Sequence, residues 1–291
     1  MDNGYTQSIN LVIDHIRQHL TDDLSLAALA NIAGFSPFHF HRIFKTLTGE
    51  TIADLTLRLR LERAAALLKG APRLRITDAA LECGFVSTAH FSRAFKKQFG
   101  MSPSAWDRRS PLTVSKIRQA APEFPQYTEG ELETFQFDVR VREFPTVCLA
   151  FIRVQNSYEP PRVLAAHDRL LTWYAARGGK ATQLIGMSQD DPDVTPPELC
   201  RYDMCLVVPP DWEGEGEVSV REFPACYIAS LHLCGDIYLV DQAWQYLYRY
   251  WLPNSRFQPD NLPAMEIYRR TPAEIGWETF DLECAIPVIA F

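Results

Sequence analysis

Apolar residues along the first hundred positions recur every three to four, the spacing of helices with one buried face, and the pattern occurs twice. Leu26, Leu29, Ala30 and Ala33 predict a first helix, and Gly34 after it can supply the left-handed backbone of a tight turn. Ser36 then reads as an N-cap and Pro37 as the first residue of a second helix, whose core face is Phe40, Ile43, Phe44 and Leu47. The same order returns as Ile76, Ala79, Ala80 and Cys83, then Gly84, then Ser87 as cap, then Phe91, Ala94, Phe95 and Phe99. At an offset of 51, HFHRIFKTLTG (39–49) and HFSRAFKKQFG (90–100) share His, Phe, Arg, Phe, Lys and Gly. Upstream, AGF (33–35) answers CGF (83–85), with one residue inserted after the second.

Once the core face is assigned, Phe38, His41, Arg42 and Lys45 remain outside in the first copy. Thr88, Ala89, Ser92, Arg93 and Lys96 remain outside in the second, with Lys97 beside them. A basic, small-polar outer face on the second helix of a helix-turn-helix is the pattern of a helix read into the DNA major groove. The bland alternative is a helical bundle with a solvated face; arginine and lysine at matching sites of both copies argue against it. Arg42 and Arg93 suit bidentate pairing with guanine, whereas Lys45, Lys96 and Lys97 suit phosphates. Between the copies, Ile52, Leu55, Leu59 and Ala66 fall on one helical face and Leu57, Leu61, Ala64 and Leu68 on the opposite one. A helix over 51–69, apolar on two sides, would be packed between the units and span roughly 28 Å. Successive major-groove faces lie about 34 Å apart, so one chain can place two reading helices.

In the second half the period changes to alternation and the chain repeats again, at an offset of 79. VREFP stands at 141–145 and at 220–224, each time before an apolar extended run, TVCLAFIRV (146–154) and ACYIASLHL (225–233). A helix follows each run, with Val163, His167, Leu170, Leu171 and Tyr174 on one face of the first and Val240, Trp244, Leu247 and Trp251 on one face of the second. TQLIGMS and RYDMCLVVP close the first copy; AMEIYR and FDLECAIPV close the second. The expectation is β-β-α-β-β, twice, with acidic loops DDPDVTPPE (190–198) and PPDWEGEGE (209–217) read as solvated. In PAMEIY (263–268), alternation sends Met265 and Ile267 to one face and Glu266 and Tyr268 to the other. Taken alone, it leaves a pocket and a solvated face equally open for Glu266. A duplicated half-sheet with one helix per copy leaves a groove at its pseudo-twofold interface, a default ligand site.

Charge sharpens the division. Residues 1–118 carry a net +6 and residues 119–291 a net −13, within an overall −7. A basic half beside an acidic half points the first toward an anion such as nucleic acid. The seven cysteines are scattered without a C-x-x-C, which reads as free thiols in a reducing cytoplasm; no Cys/His cluster has zinc-ligand spacing. No apolar run reaches the ~20 residues of a membrane span, and the N-terminus has no signal-peptide pattern. Residues 110–136, with three prolines and no periodicity, read as a linker that can pack on the second domain.

Residues 9–109, with both copies, the joining helix and the closing GMSPSAWDRR (100–109), resemble the DNA-binding domain of AraC/XylS-type transcription regulators. The resemblance implies base contacts from Phe38, His41 and Arg42 and from Thr88, Ala89, Ser92 and Arg93; His41 and Ala89 stand where longer polar residues are common. Residues 137–291, with LPAMEIYRR and LECAIPV, resemble the GyrI-like effector-binding domain, and the order of domains is that of Rob-type regulators. That resemblance implies a pocket for bulky, often cationic molecules, as in multidrug sensors, with Glu266 meeting the charge, Tyr268 beside it and Trp244 a weaker candidate.

The expected fold is α + (α+β): an all-helical double helix-turn-helix domain (1–109), the linker, and a duplicated α+β domain (137–291). The expected function is a cytoplasmic, non-enzymatic, DNA-binding transcription regulator responding to a small aromatic or cationic effector. Double-stranded DNA and RNA polymerase are its implied partners; no cofactor, metal or membrane is implied. Two alternatives stay open: a GyrI-like hydrolase using Glu266 with a second acid such as Glu283, or a ligand-independent domain that docks a protein.

Overall fold

The structure, a computed structural model, describes residues 3–70, 74–106, 125, 127–157, 159–180, 182–190 and 195–290. The helical half consists of α1 (Asn3–Gln18), α2 (Leu26–Ala33), α3 (Pro37–Thr48), α4 (Ile52–Gly70), α5 (Ile76–Glu82) and α6 (Thr88–Phe99). The expected caps are in place: the Ser36 hydroxyl accepts from the His39 amide at 3.4 Å, and Ser87 from His90 at 3.3 Å. Gly34 and Gly84 hold φ of 73° and 77°, which favours glycine; a Cβ at Gly84 would also stand 2.4 Å from the Leu20 carbonyl oxygen.

Two separate cores result. Phe40 and Phe44 of α3 bury against Ile9, Val12, Ile13 and Ile16 of α1, which has no counterpart in the second unit. Phe91, Phe95 and Phe99 of α6 pack with Trp106, whose ring meets Phe95 at 5.2 Å and Phe99 at 5.1 Å. α4 serves both, through Ile52, Leu55 and Leu59 on one side and Leu61, Ala64, Leu68 and Leu57 on the other. Ala66, expected with the first set, joins neither core. It lies one turn beyond Glu62 on a third, polar face that carries Arg58 and meets the second domain.

The second half builds one antiparallel sheet from β1 (Arg140–Phe144), β2 (Val147–Gln155), β3 (Leu184–Ser188), β4 (Arg201–Val208), β5 (Ser219–Phe223), β6 (Cys226–Gly235), β7 (Phe257–Pro259), β8 (Ala264–Arg270) and β9 (Phe280–Ala290). The order is β1-β6-β9-β8-β3-β4-β2-β5, with β7 on β9. Each copy of the repeat lends its first strand to the other: β1 pairs with β6, and β5 with β2. The equivalent Phe144 and Phe223 meet at 5.8 Å, and the Ala225 amide donates to the equivalent Thr146 hydroxyl at 3.1 Å. These contacts bring the sheet's two ends together around an inner core of Leu149, Phe151, Ile185, Met187, Cys205, Met265 and Ile267.

The outer face is covered by α7 (Glu129–Glu133), α8 (Pro160–Ala176) and α9 (Ile237–Gln245). α9 continues as a π-helical turn (Tyr246–Trp251) into α10 (Leu252–Asn254). Residues 127–135, read as linker, fold onto this core: Thr128 and Glu131 form a capping box around α7, Leu132 is buried, and Tyr127 and Phe135 pack beside it. Residues 110–124 and 126 of that segment, and 107–109 at the end of the first domain, lie outside the described residues.

The acidic loops are not merely solvated. Asp190 is fully buried and binds Arg201 of β4 at 2.5 and 2.8 Å, Arg58 of α4 at 3.0 Å and, more distantly, Arg17 of α1 at 3.5 Å. Arg58 also spans to Glu62 at 2.9 Å and to Glu50, and Glu62 accepts from the Thr195 hydroxyl. A second cluster joins Asp14 of α1 to Arg153 (2.7 Å) and Arg221 (2.6 Å), both of which also hold Asp203 of β4. Gln7 donates to the Gly216 and Val218 carbonyls, and Asn10 to the Ser219 hydroxyl, each at 3.1 Å. Burial opposes ionisation at Asp190 and Asp14, and the guanidiniums more than offset it: Arg201, Arg58 and Arg17 hold Asp190 well below the usual carboxylate range, and Arg153 and Arg221 bring Asp14 down to about 2. At Glu62 burial wins, and its carboxyl is raised despite Arg58.

Candidate functional site

Two surfaces carry chemistry. The first is the outer side of α3 and α6, where Phe38, His41, Arg42 and Lys45, and Thr88, Ala89, Arg93, Lys96 and Lys97, are exposed and Ser92 is half-buried. The caps fix each helix's start, and the phenylalanine stripe fixes its rotation, so the basic positions of both units face outward for one cause. Phe38 is 74% exposed, a large apolar side chain left without a core, with the Arg42 guanidinium 6.0 Å from its ring. Val86, the residue inserted in the second copy, is 99% exposed beside the cap of α6.

The second is the middle of the sheet, where the two copies join through β3 and β8. Alternation puts Met265 and Ile267 in the inner core and Glu266 and Tyr268 on the helix-covered face. Glu266 Oε2 accepts a 2.6 Å hydrogen bond from the Tyr202 hydroxyl of β4, and Oε1 accepts a longer one, 3.4 Å, from the Trp244 indole of α9. Tyr248 follows Trp244 one turn on, rings 6.1 Å apart, at the point where the helix widens to its π turn. Such turns frequently mark functional sites. Tyr268 is 5% exposed and stands in hydrogen-bonding contact with Tyr202. Across the strands, Glu266 is paired with Gly186 of β3 and Cys284 of β9.

Gly186 is a requirement of this geometry. A Cβ there would lie 1.6 Å from the Tyr202 hydroxyl oxygen and 3.1 Å from Glu266. The electrostatics are those of a carboxylate held by neutral donors. Burial raises the Glu266 carboxyl above its ordinary range, and the hydrogen bonds from Tyr202 and Trp244 offset only part of that. Burial and the adjoining carboxylate push the Tyr202 phenol well up, and the Cys284 thiol likewise. The arrangement can neutralise a cation, which would meet aromatic faces around the charge.

Trp244, Tyr268 and Glu266, taken from a helix and a strand of the second copy, are thus brought together. Tyr202 and Gly186 come from the first copy, and sequence reasoning missed them. Alternation with Met204, Leu206 and Val208 does put Tyr202 on the helix-covered face, but its meeting with Glu266 depends on β4, β3 and β8 lying side by side. Glu283 is not brought to the site. It lies opposite Ile267 in register, on the other face, and pairs with Arg142 at 2.9 Å and Arg269 at 3.0 Å. Among the described residues no cluster of His, Cys, Asp and Glu is placed to hold a metal ion, and no helix is long and apolar enough to cross a membrane.

A family model described as a helix-turn-helix domain matches residues 29–109, and one described as a GyrI-like small molecule binding domain matches residues 137–289. The chain is 38% identical over 102 residues to YbfP of Bacillus subtilis, an uncharacterized HTH-type transcriptional regulator, covering 35% of this chain and 34% of that protein. It is 40% identical over 100 residues to the transcriptional regulator Rob of Salmonella typhimurium, covering 34% of each. It is 32% identical over 106 residues to the regulatory protein SoxS of the same organism, covering 36% of this chain and 98% of SoxS. The match thus spans about a third of the length of YbfP and of Rob.

Proposed function

We propose that this chain, which belongs to the GyrI-like small-molecule-binding family and carries an AraC-type helix-turn-helix domain, regulates transcription by binding double-stranded DNA under the control of a bulky aromatic cation. One observation carries the choice of ligand: half-buried Glu266 stands among Tyr202, Trp244 and Tyr268, and among the described residues its hydrogen-bond donors are neutral. A desolvated carboxylate of that kind gains most from a ligand that brings a positive charge and an aromatic body. RNA polymerase follows as the second macromolecular partner of such a regulator. For DNA, the support is the matched outward faces of α3 and α6, where Arg42 and Arg93 are set to read guanine and the lysines to meet phosphate.

A hydrolase that pairs Glu266 with Glu283 is not proposed, because a full sheet thickness separates the faces carrying the two carboxylates. The test is a fluorescence titration with a rhodamine cation, run beside Glu266→Gln and followed for dye breakdown. Saturable binding that weakens roughly tenfold to a hundredfold in the variant, with intact dye, is expected for the loss of a charge-assisted contact. Affinity should rise with pH as Glu266 ionises at its raised value, and the glutamine variant should be flat. Binding indifferent to Glu266 would move the site elsewhere; no binding at all would favour a protein-docking role; consumed dye would restore the hydrolase.

A further inference from the structure

Three consecutive residues of β4 face two different parts of the molecule. Tyr202 points to the helix-covered side and gives its hydroxyl to Glu266 at 2.6 Å. Arg201 and Asp203 point the other way, as strand alternation requires. There Arg201 holds Asp190, which binds Arg58 of α4 and Arg17 of α1. Asp203 binds Arg153 through both oxygens at 2.7 Å and Arg221 at 3.1 Å, and these two arginines clasp Asp14 of α1. Gln189, next to Asp190, donates to Asp203 at 2.8 Å and ties the two clusters together. These side chains are nearly all inaccessible: Arg153 is 1% exposed, Arg201 3%, and Asp190 and Asp203 0%. One strand therefore lies between the Glu266 site and the ion clusters that hold α1 and α4.

We infer that Tyr202 is an internal competitor for the effector, and that its release from Glu266 is what links the pocket to α1 and α4 through Arg201 and Asp203. The inference rests on the effector reading of the Glu266 site and goes beyond it by naming how occupancy is felt. The Tyr202 hydroxyl occupies the hydrogen-bonding position on Oε2 that a cationic ligand needs. Gly186 leaves it the room, and no larger residue at 186 would. A ligand that takes Oε2 must displace a ring packed tightly over Gly186, and on this inference the displacement is passed along β4 to Arg201 and Asp203. Those neighbours sit in buried ion clusters where a small shift leaves a charge unpaired, which makes the interface bistable rather than elastic. Coupling of this kind appears as reciprocal effects on two affinities.

The experiment measures rhodamine affinity and DNA affinity, each in the presence and absence of the other ligand, on the full chain, on Tyr202→Phe and on Asp14→Asn. Tyr202→Phe removes the competitor and should bind dye roughly tenfold tighter. Weaker or unchanged binding would mean that the hydroxyl supports the ligand, and would overturn the inference. Asp14→Asn keeps the shape of the α1 contact and removes its charge. It should bind dye as the parent does, while the dye-dependent change in DNA affinity falls to less than about twofold. An undiminished change would equally overturn it.

A third arm needs no ligand: amide hydrogen exchange on the free proteins. Tyr202→Phe should speed exchange in α1 and in the first half of α4, and leave α6 unchanged. If the parent binds no dye, the effector reading fails, and this arm alone decides the link. Unaltered exchange in α1 and α4 would then sink it, and selective loss of protection there would sustain it.

Discussion

The two helix-turn-helix units share their capping serines, turn glycines, phenylalanine stripes and outward arginine and lysine, yet they are held differently. The first is packed against α1, and through α1 and the polar face of α4 it is fastened to the sheet by Asp14, Arg17, Arg58 and Glu62. The second closes on its own Trp106 and shares α4 with the first. Duplication therefore supplied two similar reading heads, and the residues outside the repeat made them unequal. An effector signal that reaches α1 and the first half of α4 would act first on the head packed against α1, and on the other chiefly through the shared α4.

The largest effect expected from breaking this asymmetry is at Arg58. Arg58→Ala leaves Glu50, Glu62 and Asp190 around a vacated site and should cost about 3–5 kcal/mol of denaturant stability. By contrast, exposed Arg75 at the start of α5, paired with Asp78, should have little measurable effect on stability when replaced by alanine.

On DNA the two heads should look alike. Arg42→Ala and Arg93→Ala should each relax preference at one base step and cost about 1–3 kcal/mol on a selected site. Equal loss on random DNA would assign them to phosphate instead. Lys96→Ala should weaken specific and random DNA together and reduce the salt slope by about one.

Acid should separate the heads again. Asp14 has its folded value lowered to about 2, so its contribution is present above the ordinary 3.8 and is lost as pH falls through about 2. Exchange protection in α1 should drop over that window before protection in α6 does. Asp14→Asn should abolish that part of the pH dependence.

Much of the helical half was legible because its governing forces are local. Caps, left-handed glycines and a 3–4 residue apolar period act within one or two turns, and they located α2, α3, α5 and α6 and their outward faces. The third face of α4 was missed. Arg58 and Glu62 stand one turn apart on the helix, and nothing local says that Asp190 and Thr195, more than a hundred residues away, bury them. The acidic loop 190–198 was misread for the same reason. A carboxylate in a loop is solvated unless something distant covers it.

In the sheet half, the repeat and the alternation along PAMEIY placed Glu266 and Tyr268 on one face, and helical spacing placed Trp244 toward that core. By itself the sequence determined two duplications, the element types, the outward faces of α3 and α6 and the side on which Glu266 stands, because each depends on neighbours a few residues apart. Only tertiary structure decided that β1 and β5 exchange between copies, that Tyr202 comes to rest on Glu266 opposite Gly186, and that Asp14 and Arg58 reach across to the same sheet. Those contacts join residues 64 to 207 positions apart, and no period in the chain encodes which distant strand will lie alongside.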